Sequence, residues 1–359
     1  VIRVFVVDDS PFVRKALRRV LTADREIQVV GEAATGEEAL ALIPDADPHV
    51  VTLDVEMQGI SGLDVLRQLL LWRPGLRVLM LSAHTREGTG ATLEALAAGA
   101  ADFIDKQSLN LMDLDRLGRE LGERLRALGG GRDTHQPRVR PDGGTRRGAS
   151  FPVPGAPELS RATLCVIGAS TGGPAALQTL LEALPAGFPV PVAIVQHMPP
   201  GFTRPFANRL DGLCRLRVTE AEDGQRLEPG MAVVAPAGAH LRVSPSLVAT
   251  LSSEPAGARH VPSVDVLFRS AAKARSGAVL GVLLTGMGDD GAEGLSLIRA
   301  QGGITIAESE ESCAVYGMPR AAVERGAAQY VLPLLEIRRV LAGLVGGKAL
   351  KDSLPPGSR

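Results

Sequence analysis

Short apolar runs alternate with amphipathic stretches over residues 1–128. Val4–Val7, Gln28–Val30, Val50–Leu53, Val78–Leu81 and Phe103–Ile104 read as strands. Between them Phe12–Leu21, Glu37–Ile43 and Leu63–Leu71 carry apolar residues at helical spacing. A last stripe of Leu114, Leu117, Leu121, Leu125 and Leu128 predicts one more amphipathic helix. Five strands alternating with helices predict an α/β fold, a doubly wound parallel sheet covered on both faces.

The texture then changes. From Gly129 to Pro157, Gly and Pro supply 12 of 29 residues, so no apolar period survives and 129–158 is expected to be a flexible linker. Residues 159–347 return to an α/β pattern. Leu164–Ile167, Val192–Val195 and Val279–Leu284 are near-continuous apolar runs of the kind found in buried parallel strands. Val218–Ser253, richer in β-branched residues and carrying the turn signal Glu228-Pro229-Gly230, predicts a small antiparallel insertion. The polar stretch 348–359 is expected to be a frayed tail.

A chain of 359 residues accommodates two such domains, each with its own core. The net charge of −1 removes any electrostatic case for nucleic acid as a partner. No apolar run approaches the ~20 residues of a membrane span, so direct membrane insertion is not expected. Cys165, Cys214 and Cys313 are odd in number and widely spaced, which argues against a disulfide framework or zinc site and fits a cytoplasmic setting.

Candidate chemistry gathers at strand ends. Asp8 and Asp9 follow the first predicted strand, Asp54 ends the third, Ser82 ends the fourth and Lys106 follows the fifth. In a doubly wound sheet such ends meet at one crevice. Three carboxylates there would repel unless a hard cation joined them, and Mg²⁺ fits their oxygen donors. A carboxylate in that setting can attack phosphorus, with the metal and lysine stabilising the charge.

These residues resemble the response-regulator receiver family over 1–122. The resemblance implies that Asp54 is the phosphoacceptor, and that Asp8, Asp9 and Asp54 hold Mg²⁺ with the Glu56 backbone carbonyl. It further implies that Ser82 and Lys106 respond to the phosphoryl group, that Phe103 is an aromatic switch, and that a histidine kinase is the phosphodonor. Gln58 and Gln107 depart from the pattern, standing where the family usually has prolines.

A second constellation begins at Gly168-Ala169-Ser170-Thr171-Gly172-Gly173-Pro174, directly after an apolar run. Pro174 suits the first turn of a helix. A strand–turn–helix of this kind lifts a serine hydroxyl above the sheet's carboxyl edge, beside helix N–H groups. Tight packing or a dinucleotide cradle are the competing readings, the latter weakened because Ser170 stands in place of the fingerprint's middle glycine. His197 follows Val192–Val195, one strand–helix–strand unit after Ser170, and is the candidate base; a turn histidine satisfied by backbone is the alternative. His240 and His260 lie in or near the insertion, where a surface or core role is expected. Leu284-Thr285-Gly286-Met287-Gly288-Asp289-Asp290-Gly291 offers a third strand end with two carboxylates, either of which could orient the base or cap a helix. The order Ser, His, Asp differs from that of α/β-hydrolases.

Gly168–Gly173, Gln196-His197-Met198-Pro199, Pro236-Ala237-Gly238-x-His240-Leu241, Thr285–Gly291 and Tyr316-Gly317-Met318-Pro319 are together similar to the chemotaxis protein-glutamate methylesterase family, collinearly from about 162 to 345. That family also carries an N-terminal receiver. The resemblance implies Ser170 as nucleophile, His197 as general base, Asp290 rather than Asp289 as orienting carboxylate, and the Met287 backbone N–H in an oxyanion hole. It implies no cofactor for the esterase chemistry. Its expected substrates are glutamate methyl esters, and glutamines for deamidation, on methyl-accepting chemoreceptors. The receiver is expected to cover the esterase face until Asp54 is phosphorylated. A non-enzymatic regulator and a small-molecule esterase stand as the alternatives.

Overall fold

The structure, a computed structural model, describes residues 1–82, 85–106, 113–130, 152–255 and 257–344. The chain divides into two compact units, Val1–Gly143 and Gly144–Arg359. Most of the expected linker, the expected tail and Gln107 lie outside the described residues.

In the first unit, strands β1 (Ile2–Val7), β2 (Ile27–Ala33), β3 (Val50–Asp54), β4 (Arg77–Ser82) and β5 (Asp102–Asp105) alternate with helices. These are α1 (Pro11–Thr22), α2 (Gly36–Ala46), α3 (Gly62–Trp72), α4 (Arg86–Ala97) and α5 (Leu114–Gly129). All five predicted strands and the four helices read from the apolar pattern are present. The helix α4 was not legible: its apolar residues are interrupted by small and polar ones. Caps set the helix starts. Ser10, Thr35, Ser61 and Thr85 each accept a backbone N–H from the first turn of α1, α2, α3 and α4 respectively. The sheet is parallel with order β2-β1-β3-β4-β5. The chain reverses direction across the sheet between β1 and β3, so their carboxyl ends flank the crevice where such sheets place ligands. Leu117, Leu121, Leu125 and Leu128 of α5 are buried, as their stripe requires.

The second unit opens with the short helix α6 (Ala156–Leu159), which begins in the last residues of the span read as linker. Leu159 is buried, and the carboxylate of Glu158 accepts a hydrogen bond from the Tyr330 hydroxyl at 2.8 Å. Its main sheet uses β6 (Leu164–Ala169), β7 (Val192–Gln196), β8 (Arg217–Glu220), β9 (Met231–Val234), β12 (Val279–Leu283), β13 (Ile304–Glu308) and β14 (Tyr330–Leu332). A separate pair is formed by β10 (His240–Val243) and β11 (Ala249–Ser252). Helices α7 (Gly173–Leu181), α8 (Thr203–Leu213), α9 (Val264–Ala274), α10 (Ala292–Ala300), α11 (Met318–Glu324) and α12 (Leu334–Gly343) complete the unit. The sheet order is β14-β13-β12-β6-β7-β9-β8, with every neighbouring pair parallel.

The antiparallel element is therefore smaller than the sequence suggested. Of Val218–Ser253 the strands β10 and β11, with a lone Arg226–Val248 bridge, pair antiparallel; β8 and β9 extend the parallel sheet. Fully buried Met231–Val234 earns that place by being apolar on both faces. The decisive feature for chemistry is the centre of the sheet, where β12, β6 and β7 are adjacent. Among the described residues, no helix is long and apolar enough to cross a membrane, and Cys165, Cys214 and Cys313 are free thiols.

Candidate active and phosphorylation sites

Asp54 closes β3 and is almost fully buried, as is Asp8 after β1, while Asp9 is exposed. Lys106, one residue past β5, places Nζ 2.6 Å from Asp54 Oδ2 and 2.8 Å from Asp8 Oδ2. Asp54 Oδ1 accepts the Glu56 N–H at 3.3 Å, and Asp8 Oδ1 accepts the Ser10 N–H at 3.0 Å. Burial pushes the Asp54 carboxyl up to about 6, although Lys106 pulls it down. Burial also acts to lower Lys106, but Asp54 and Asp8 outweigh it and hold the ammonium above its ordinary value. Oxygens of Asp8, Asp9 and Asp54 lie within 4.8 Å of one another, an all-oxygen set that suits Mg²⁺.

The remaining predicted receiver residues surround this cluster. Ser82 ends β4, fully buried, and its Oγ receives the Thr92 hydroxyl of α4 at 2.6 Å. Thr92 was not singled out in the sequence; a threonine in a helix carries no local mark of such a role. The Lys106 N–H donates to Ser82 O at 2.6 Å, tying the ends of β4 and β5 together. Phe103 is buried in β5. Glu56 is exposed, its side chain accepting from Thr85 Oγ1 at 3.1 Å, and Gln58 is exposed near it.

In the second unit the three adjacent strands β12, β6 and β7 end in Thr285–Gly291, Ser170 and His197. Backbone bonds carry the ladder past the strands: Ser170 N–H donates to Thr285 O at 3.0 Å, and His197 N–H donates to Ala169 O at 3.1 Å. Gly172 turns the chain into α7 with φ +79°, and a side chain there would press on Ala314 and Thr285. Gly286 lets two loops meet, since a Cβ on it would sit 2.8 Å from Ser170 Cβ. Among the described residues only Asp47 and Leu247 are non-glycine residues with positive φ, so Ser170 itself sits in ordinary backbone conformation.

His197 and Asp290 form a nearly buried pair, with Nε2 2.9 Å from Oδ2 and side-chain exposures of 11% and 10%. Asp290 accepts three more bonds: from Ser263 Oγ at 2.9 Å, Val264 N–H at 2.7 Å and Asp265 N–H at 3.0 Å. Asp290 therefore caps α9, an earlier helix in the chain, as well as holding His197. Burial alone would raise its carboxyl, but His197 and these N–H donors bring it down to about 2, so the group is an anion at neutral pH. Asp289 points elsewhere: it is exposed and pairs with Arg325 at 3.7 Å. Gly286, beside Met287, is pinned at both ends, its N–H to Val315 O at 3.0 Å and its carbonyl to the N–H groups of Gly317 and Met318. This accounts for the Tyr316–Pro319 motif. Thr285 N–H donates to the fully buried Glu308 at 2.8 Å, whose carboxyl burial pushes up.

Two neighbours of the site escaped the sequence, and a third, His260, was expected only to have a surface or core role. Ser263 is the N-cap of α9, and nothing local in the sequence links it to Asp290. Glu308 ends β13 with no local mark of its bond to Thr285. His260 stacks on His197, with ring centroids 4.2 Å apart and planes 15° from parallel.

A buried carboxylate–lysine crevice, and a histidine–aspartate pair beside the strand end that carries Ser170, lie on two parallel α/β units, the arrangement of a response regulator with a hydrolase-like output unit. A family model described as "Response regulator receiver domain" matches residues 4–115, and one described as "CheB methylesterase" matches 165–341. The protein-glutamate methylesterase/protein-glutamine glutaminase 2 of Pseudomonas aeruginosa is 45% identical, covering 98% of each chain. The protein-glutamate methylesterase/protein-glutamine glutaminase 1 of Oleidesulfovibrio alaskensis is 42% identical over 96% of this chain and 99% of its own length. The crystal structure of the Thermotoga maritima CheB methylesterase catalytic domain aligns with a TM-score of 0.50 at 41% identity, covering 51% of this chain and 98% of that one. The chain belongs to the protein-glutamate methylesterase/protein-glutamine glutaminase family.

Proposed function

We propose that the chain is a phosphorylation-controlled serine hydrolase that removes methyl esters from glutamate side chains of chemoreceptors. The observation that supports this most is the pairing of His197 with an ionised, multiply bonded Asp290 at the strand end next to Ser170. Ser170 Oγ attacks the ester carbonyl while His197 accepts its proton. The Met287 N–H, in the loop that Gly286 anchors, stabilises the oxyanion. Collapse of the tetrahedral intermediate breaks the ester C–O bond, and His197 returns the proton to the departing methanol. Water, deprotonated by the same ring, then releases the glutamate carboxylate and restores Ser170. With a glutamine substrate the first leaving group is ammonia, which gives deamidation by the same steps.

Control is assigned to the receiver. Asp54 takes a phosphoryl group from a histidine kinase, at an oxygen already 2.6 Å from Lys106. Mg²⁺ bound by Asp8, Asp9, Asp54 and the Glu56 carbonyl would supply charge neutralisation for that transfer. Ser82 would turn from Thr92 towards the new phosphoryl oxygen, carrying the change into α4, and Phe103, already buried in β5, would repack in response. Domain limits of 1–128 and 159–347, the second extended by α6 at its start, a cytoplasmic location and a role in sensory adaptation complete the proposal.

The test is methanol release from methylated receptor, with and without a small phosphodonor and Mg²⁺. Release that depends on Ser170 and rises with phosphodonor is the expected result. Binding of receptor with no methanol release, and no labelling of Ser170 by a fluorophosphonate, would point instead to a non-enzymatic regulator.

A further inference from the structure

We infer that His260 is a positioning residue for the general base, its ring setting the plane in which His197 works. The inference rests on the hydrolase reading of Ser170, His197 and Asp290. Asp290 holds His197 at a single ring atom, Nε2. One hydrogen bond fixes the distance of a ring but leaves it able to swing about the contact. A second ring lying flat against it removes that freedom, and His260 does so at 4.2 Å and 15°.

His260 is itself held by the same machinery. Three residues further on, Ser263 is gripped from two sides. Its N–H donates to Nδ1 of His240 at 3.1 Å, and its hydroxyl donates to Asp290 Oδ1 at 2.9 Å. His240 is fully buried, and burial pushes its imidazole pKa down, which keeps Nδ1 able to accept. The carboxylate that holds the base therefore also holds the segment that carries the stacking ring. Base, acid and stacking ring are tied into one body. This gives a role to the Pro236–Leu241 motif, whose histidine has no place in the triad.

Misplacing a catalytic group by about 1 Å can cost ~10²-fold in rate, and the loss of an aromatic stack costs ~10-fold. Full-length His260→Ala, activated by phosphodonor and Mg²⁺, should lose roughly 10–100-fold in kcat with little change in KM. The substrate is a receptor cytoplasmic fragment bearing glutamate methyl esters. His260→Phe restores a flat ring without a titratable nitrogen and should recover kcat to within about threefold of wild type. Thermal midpoints of both variants should match the wild type. An unchanged kcat in His260→Ala would overturn the inference. So would a rise in KM alone, which marks a substrate contact, or a correctly folded His260→Phe as slow as the alanine variant. Ser170→Ala, run in parallel, separates the two levels: if it still hydrolyses, the hydrolase reading itself fails.

Discussion

Asp290 binds His197 through Nε2, at 2.9 Å, while Nδ1 of the same ring is buried with no hydrogen-bond partner among the described residues. The serine-protease triad uses the ring the other way round, with the carboxylate on Nδ1 and the serine on Nε2. On the proposed mechanism an anionic Asp290 would keep the proton on Nε2 and leave Nδ1 to take the one from Ser170. Nitrogen NMR of the resting enzyme should show Nε2 protonated and Nδ1 bare. The opposite tautomer would show that the base works through Nε2.

The two neighbouring aspartates should differ sharply. Asp290→Asn would hold the ring without the charge that stabilises an imidazolium, and should lower kcat by roughly 10³–10⁴-fold. Asp289→Asn removes only an exposed contact to Arg325 and should fall within about twofold of wild type. Ser170→Ala should cost roughly 10⁴–10⁶-fold, and adding His197→Ala little more, because the residues act as one unit. Independent, multiplying losses for Ser170 and His197 would refute the triad.

Asp54 makes a stability prediction. Its carboxyl is raised by burial, despite Lys106, to about 6. Between roughly pH 4 and 6 the folded protein therefore keeps a proton that the unfolded chain has lost. Stability from this group is intact at low pH and is lost as pH rises through the folded value. Asp54→Asn, which leaves Lys106 its contact with Asp8 at 2.8 Å, should stabilise the receiver by on the order of 1–3 kcal/mol at pH 7 and scarcely at pH 4. Denaturant unfolding without divalent cations measures both; an equal gain at the two pH values would show that burial of the charge is not the cause.

Receiver control can be read from a truncated chain. The second unit should be cut before α6, because Leu159 is buried and Glu158 bonds Tyr330; a start at Ala162 would strip both away. A fragment from Pro152 should be more active than the unphosphorylated full chain and indifferent to phosphodonor, while full-length Asp54→Asn should keep basal activity and lose stimulation. Equal activity of fragment and intact protein would make the receiver a targeting module. Gln107→Pro should change the lifetime of the acyl phosphate without touching the fragment's hydrolysis; identical lifetimes would show that departure to be neutral.

Much of this molecule was legible before any coordinate. Apolar runs separated by helical periods can only become parallel strands with covered faces, and parallel strands bring their carboxyl ends to one edge. That is why Asp8, Asp54 and Lys106 could be gathered from positions far apart, and Ser170 and His197 from neighbouring strand ends. Period and burial are local properties, written in each segment. What tertiary packing alone decided is the choice among local equals. The sequence contains no signal that separates Asp290 from Asp289 without a family pattern; the start of α9 does, by supplying donors to one of them. The same holds for β8 and β9, which are short enough to join either kind of sheet and went parallel because β7 offered an open edge. It holds for Thr92 against Ser82 and for His260 against His197. Each of these contacts depends on which surfaces the packed elements present to each other, and that is determined only when the whole core has closed.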